Sequence, residues 1–184
     1  MTAEASIGGP GRRIRWRLFG WGAASVLLLI PLMLNFPWSV SDFVFAAIMF
    51  GIVGGTLELT IWRSSDWSYR GAVAVTVAAC FLHIWITGAF GIIGNESNPG
   101  NLLYLGVVVL VIFGTILSLA RAAGMAWVMA AAVVAEILIP PVAWLWVADP
   151  AGDVLLPEVF ASAIVFTGMW VLAGSLFREA ARPA

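Results

Sequence analysis

Between Leu18 and Phe177 the chain returns again and again to apolar runs of about 20 residues, the length a helix needs to cross a bilayer core roughly 30 Å thick. Composition agrees. Of the 184 residues 62% are hydrophobic and 10% charged, whereas a soluble domain carries about a quarter of its residues as Asp, Glu, Lys and Arg. So little charge does not cover a water-facing surface. The expected fold is all-α: a polytopic membrane protein with six transmembrane helices over about 18–34, 42–62, 71–94, 102–120, 125–147 and 158–177. Tails 1–17 and 178–184 flank this domain. Residues Met1 to Gly11, small and polar, are expected to be disordered.

Local signals set the boundaries. The first span stops at Asn35-Phe36-Pro37-Trp38. Ser39 or Ser41 is the expected cap of the second, with Asp42 in its first turn suiting the positive end of the helix dipole. Arg63 to Arg70 is expected to form a polar hairpin, Arg121 to Gly124 a tight turn, and Ala148 to Pro157 a loop. Pro140-Pro141 is expected to interrupt the fifth helix. The arginine cluster before the first span resembles the charged region of a signal peptide, but the run is long enough to span and no small-x-small cleavage site closes it. It is read as a retained helix.

Arginine gives the threading. Arg12, Arg13, Arg15 and Arg17 precede the first span, Arg63 and Arg70 lie between the second and third, Arg121 between the fourth and fifth, and Arg178 and Arg182 follow the sixth. The alternate loops hold Asp42, Glu96, Asp149, Asp153 and Glu158 and no basic residue. All nine arginines thus fall on one side, which the positive-inside rule makes cytoplasmic, together with both termini. Trp16, Trp21, Trp38, Trp62, Trp67, Trp127, Trp144, Trp146 and Trp170 are read as interfacial belts. The scattered arginines form no basic patch for nucleic acid. Cys80 has no partner for an internal disulfide and is read as a packing residue. No internal repeat relates the two halves.

Ionisable residues inside spans are functional candidates because burying them is costly. Glu58, His83 and Glu136 qualify. His83 lies thirteen residues beyond Arg70, roughly 20 Å along the helix, and Glu136 fifteen beyond Arg121, roughly 22 Å. At matched depth an imidazole and a carboxylate can share a proton; the alternative is a packed seam with a satisfied histidine. Glu58, one turn from Trp62 and Arg63, can reach the interface or pair with an arginine there. Thr76, Cys80, His83, Thr87 and Gly91 fall at helical spacing on one face. Gly51-x-x-x-Gly55 is a helix-packing pattern. Pro140 and Pro141 cannot donate to the carbonyls of Glu136 and Ile137, so acceptors are freed beside a carboxylate.

The most polar loop runs from Asn95 to Asn101. Asn98 before Pro99 reads as a helix cap, with Asn101 the alternative, and Gly94 as a left-handed end for the third helix. Asn95, Glu96, Asn98 and Asn101 are equally candidates for holding a cation or a polar headgroup. Metal hydrolases need several His, Cys or carboxylate ligands, and with one histidine no metal is assigned; Asp149-x-x-x-Asp153 is too sparse for calcium. No hydrolase or phosphate-loop motif is present, and no cofactor is named by the residues.

The segment Gly91-Ile-Ile-Gly-Asn-Glu-Ser-Asn-Pro-Gly-Asn-Leu102 resembles the Gly-Ile-Ile-Gly-(Asn/Ser)-Glu-x-Asn-Pro-x-Asn-Leu loop of a family of small, uncharacterised, multi-span bacterial inner-membrane proteins. The similarity covers about Asp42, through Glu58 and Trp85, to about Ala135. Glu58, Asn95, Glu96, Asn98 and Asn101 match the family pattern; His83 and Glu136 do not. The resemblance implies a bacterial inner-membrane location and no activity.

Three functions are compatible with these features. The first is association, as a subunit or accessory of a membrane complex or as a homo-oligomer, with the lipid bilayer and other membrane subunits or a second copy as partners. The second is a small proton- or ion-coupled transporter using His83, Glu136 and the Pro140-Pro141 break. The third is a lipid-modifying intramembrane enzyme with Glu58, Glu96 or His83 as acid or base. A cavity reaching His83 favours the last two.

Overall fold

The structure, a computed structural model, describes residues 10–147 and 156–183. These form six helices: α1 (Pro10–Met33), α2 (Val40–Arg63), α3 (Trp67–Ala89), α4 (Leu102–Leu117), α5 (Ala122–Val142) and α6 (Leu156–Ala180). A 3-10 turn, Pro99–Asn101, leads into α4, and a π-helical turn, Ala143–Val147, continues α5. Five helical stretches, over 40–63, 67–89, 99–117, 122–145 and 157–180, are long and apolar enough to cross a membrane. In α1 the apolar stretch Arg17–Met33 is shorter. Residues 148–155 of the expected 148–157 loop, with Asp149 and Asp153, and the segment before Pro10 lie outside the described residues, whereas Leu156 and Pro157 already belong to α6 rather than to the loop.

The chain divides into two compact units, Met1–Glu58 and Leu59–Ala184. In the first, α1 ends in a left-handed Asn35 (φ 50), with the Phe36 amide returning to the Pro31 carbonyl at 2.8 Å. Asparagine tolerates that conformation better than most residues. Ser39, not Ser41, caps α2. Its amide and hydroxyl both donate to Asp42 Oδ2 at 2.7 Å, the Asp42 amide lies 3.4 Å from Ser39 Oγ, and Ser41 Oγ is 2.7 Å from Ser39 Oγ. This is a reciprocal capping box built on aspartate. The expected glycine contact moves by one residue within Gly51-x-x-x-Gly55. A Cβ on Gly51 or Gly55 would meet nothing, whereas one on Gly54 would lie 2.8 Å from the Trp21 ring.

In the second unit α3 packs on α4, α4 on α5, α5 on α6 and α6 on α3, closing a four-helix ring. Its outer faces carry large apolar side chains such as Phe113, Ile116, Trp127, Leu138 and Ile164, while its polar side chains Thr76, His83, Thr87 and Glu136 are buried. That inversion suits lipid outside and hydrogen-bonding partners inside. The connections at one end are tighter than expected. The Arg63–Arg70 hairpin shrinks to residues 64–66 because Asp66 caps α3, accepting from the Tyr69 amide at 2.9 Å. Arg70 then donates to the carbonyls of Ser64 (2.7 Å) and Ile61 (2.9 Å), satisfying the end of α2. The α4–α5 turn passes through left-handed Leu119 and Ala120, and Tyr69 donates its hydroxyl to the Ala120 carbonyl at 2.7 Å.

Helix five is not interrupted at Pro140-Pro141. It runs to Val142, where the Ala143 amide reaches the carbonyls of both Ile139 and Pro140, and then continues as the π turn. Adjacent prolines remove two donors, and a wider winding follows them. Helix three ends five residues before Gly94, at Ala89, so Gly91 leaves the helical seam and turns the chain with φ +73, as does Gly94 with φ +66.

A Cβ on Gly91 would sit 2.4 Å from the backbone carbon of Asn95, in a conformation that side chains already disfavour. Gly91→Ala is therefore expected to cost about 1–3 kcal/mol by unfolding in mixed micelles, with Gly51→Ala as the neutral comparison. Equal stability of the two variants would contradict this account of the loop.

Candidate functional site

The ring of α3–α6 closes around one polar contact. Ala72, Thr76, Ala79, His83 and Thr87 recur on the buried face of α3, and Met125, Met129, Ala132, Glu136 and Ile139 on that of α5. The helical period alone therefore aims His83 and Glu136 at the same axis. The expected pair is present: His83 Nε2 lies 3.0 Å from Glu136 Oε2, and both side chains are 0% exposed. His83 Nδ1 faces the Ala79 carbonyl at 3.0 Å. Helix six adds Trp170, whose Nε1–H donates to Glu136 Oε2 at 3.3 Å, and Phe166, whose ring centroid is 3.7 Å from that of the imidazole. Helix four adds Tyr104, 5.9 Å away between ring centroids. Each of the four helices thus supplies a wall.

The layers above and below fix this one. Towards the Arg121 end, Thr76 donates to the Ala72 carbonyl at 2.9 Å and lies 3.5 Å from Met129 Sδ. Towards the other end, Ser162 donates to the Val159 carbonyl at 2.8 Å, so the 2.9 Å contact with Tyr104 is made by the Tyr104 hydroxyl donating to Ser162 Oγ. Oε1 of Glu136 has no partner, nor has Oγ1 of Thr87.

Trp170 corrects the belt reading: it is fully buried. Its place eight residues before Arg178, roughly 12 Å along the helix, is too deep for an interface, and that spacing was the available signal. Trp62, Trp67, Trp127 and Trp144 are exposed, as a belt residue is. Tyr104 and Phe166 carried no sequence signal beyond being aromatic.

Glu58 is not part of this core. It pairs with an arginine, as expected, and that arginine is Arg17 of α1. Arg17 Nε donates to Oε1 at 2.9 Å and Nη2 to Oε2 at 2.8 Å, while Trp21 Nε1 donates to Oε1 at 2.8 Å. This fork-on-fork contact ties α1 to α2 within the first unit. Trp21, expected as a belt residue, is thus a hydrogen-bond donor to a carboxylate.

The polar loop consumes most of its own candidates. Asn101, 3% exposed, accepts from the amides of Ile92 and Ile93 at 2.9 Å and donates to the carbonyls of Asn95 (2.7 Å) and Ile93 (3.4 Å). It is a clamp and not the cap of α4, where it makes no capping bond. Asn98 is the cap, accepting from the Gly100 amide at 2.8 Å ahead of Pro99. Asn95 Oδ1 accepts from the Ser97 amide and hydroxyl. Glu96 is exposed beside these closed networks. No group of three or more His, Cys, Asp or Glu placed to hold a metal occurs among the described residues.

Clefts indent the outer faces of the ring. One, of about 450 Å³, lies between α5 and α6 and is lined by Ile137, Pro140, Pro141, Phe160, Ile164 and Thr167 among others. Another, of about 160 Å³, lies between α4 and α5. Neither is lined by His83 or Glu136. No family model, curated protein or solved structure matches the chain.

Removing one member of a wholly buried pair leaves the other without its partner. Glu136→Ala is expected to cost about 3–5 kcal/mol, read as unfolding in mixed micelles. Glu136→Gln should cost less, because the amide still meets Nε2. The double variant His83→Leu with Glu136→Leu should recover much of the loss, since an apolar replacement of both charges is often close to neutral. Additive losses would show that the two side chains do not depend on each other.

Proposed function

We propose that this chain is a six-span protein of the bacterial cytoplasmic membrane, with both termini inside, that works by association rather than by turnover. The observation carrying the second half is the closure of the core. His83 and Glu136 are 0% exposed and walled by Tyr104, Phe166 and Trp170, and the clefts between α4 and α5 and between α5 and α6 are apolar grooves that neither residue lines. A carrier needs a route wide enough for its cargo, which a proton relayed during brief local openings does not, and an enzyme needs its acid or base within reach of substrate. Glu58, the other intramembrane carboxylate, is committed to Arg17 and Trp21. An association partner is another membrane subunit or a second copy of this chain.

Five apolar helices support the multi-pass reading. For α1, the apolar part Arg17–Met33 reaches roughly 26 Å, and arginines at its start can extend to the headgroups. That favours a sixth span and keeps all nine arginines on one side. The loop resemblance around Gly91 to Leu102 supports the bacterial inner-membrane location. A reporter fused after Glu96 is expected outside and one after Arg121 inside; the same side for both would overturn the threading.

Association is tested by native mass spectrometry of the protein extracted gently from its own membrane at native abundance. A discrete heavier assembly is expected. A bare monomer would overturn the reading in favour of proton-coupled transport, whose supporting observation is the 3.0 Å His83–Glu136 contact.

A further inference from the structure

The geometry of the core counts its protons. Nδ1 of His83 faces the Ala79 carbonyl at 3.0 Å; a carbonyl only accepts, so Nδ1 carries a hydrogen. Nε2 faces Glu136 Oε2 at 3.0 Å. With no proton between them, a nitrogen lone pair would oppose a carboxylate oxygen at hydrogen-bond distance in a dry interior. One proton closes the contact and leaves the pair neutral, as imidazolium with carboxylate or imidazole with carboxylic acid. Trp170 donates to the same oxygen. Every donor therefore goes to Oε2, while Oε1 is buried and accepts nothing. Oγ1 of Thr87, one helical turn from His83 on the same face and in a side chain 5% exposed, is also buried without a partner. A pair kept for packing alone gains nothing by leaving a carboxyl oxygen bare in a medium where an unsatisfied polar atom is costly.

We propose that His83 and Glu136 form a proton-binding site that moves between one and two protons, with Glu136 Oε1 taking the second. In the singly loaded state the proton lies between Nε2 and Oε2. On loading, a proton from water forms an O–H bond at Oε1, while Nε2 keeps its hydrogen and donates it to Oε2, now the carbonyl oxygen of a carboxylic acid. The charge of the pair rises by one unit, and only N–H and O–H bonds change. The titratable groups facing the imidazole are Tyr104 from α4 and Glu136 from α5; α6 presents Phe166 and Trp170, which do not titrate, and α3 itself carries Cys80, half-buried. The Tyr104 hydroxyl is turned away onto Ser162. The site lies within one chain, so it stands or falls independently of association.

His83 is the only histidine, so isotopic labelling of histidine nitrogen reports a single imidazole. The full chain in lipid nanodiscs is followed from neutral to acid pH by nitrogen NMR and by infrared spectroscopy of the carboxylic-acid carbonyl, assigned by its loss in Glu136→Gln. Circular dichroism defines the pH range over which the helices persist. The expected result is one transition, in which the Glu136 band changes to that of a carboxylic acid accepting from an imidazolium, while Nδ1 keeps its hydrogen throughout. If the band stays fixed across the folded range, or the ring is not an imidazolium at its acid end, the proposal fails. Native mass spectrometry does not bear on this result, so the two readings are separable.

Discussion

Lipid offers no hydrogen bonds, and every polar group carried into it must find a partner within the protein. The interior of the α3–α6 ring is an answer to that constraint. Hydroxyls of Thr76, Thr115 and Ser162 return to carbonyls one turn back on their own helices, so they need nothing from a neighbouring helix. Groups too strongly polar for such local closure are brought together from different helices. His83 meets Glu136 across the axis, and Trp170 supplies a donor to the same carboxyl group. One carboxyl group thereby holds α3, α5 and α6 in a single register.

The ends of the helices obey the same rule with different means. Where the chain leaves α3, Gly91 and Gly94 take left-handed conformations and Asn101 reaches back to hold the loop with both ends of its amide. Ile92 and Ile93 are buried beneath it. The loop is therefore a plug, polar along its backbone and apolar underneath. At the opposite end Arg70 and Tyr69 close the turns of α2–α3 and α4–α5 through backbone carbonyls. In α5 the donors lost to Pro140 and Pro141 are followed by a wider π winding rather than by a break.

Much of the site was legible before any fold was known. Residue counts from Arg70 and Arg121 put His83 and Glu136 at one depth, because a membrane helix has a fixed rise and a charged residue marks where it begins. Other features were invisible for equally physical reasons. Trp21 and Trp170 donate to carboxylates, yet indole suits an interface and a buried acceptor alike. Arg17 is the arginine that pairs with Glu58, and which of several arginines faces a carboxylate depends on how two helices are rotated. The loop asparagines looked as fit for a ligand as for a turn until their partners were visible.

What the sequence by itself determined is the class of molecule and the placement of its polar groups along each helix. Run length, arginine spacing and the 3.6-residue period are properties of the chain alone. Only the tertiary structure decided which of those groups meet. It placed the imidazole and the carboxyl group in hydrogen-bond contact, closed the aromatic wall around them and left Glu136 Oε1 free. Such outcomes depend on helix rotation and packing between residues far apart in the chain, and a one-dimensional pattern carries no record of them.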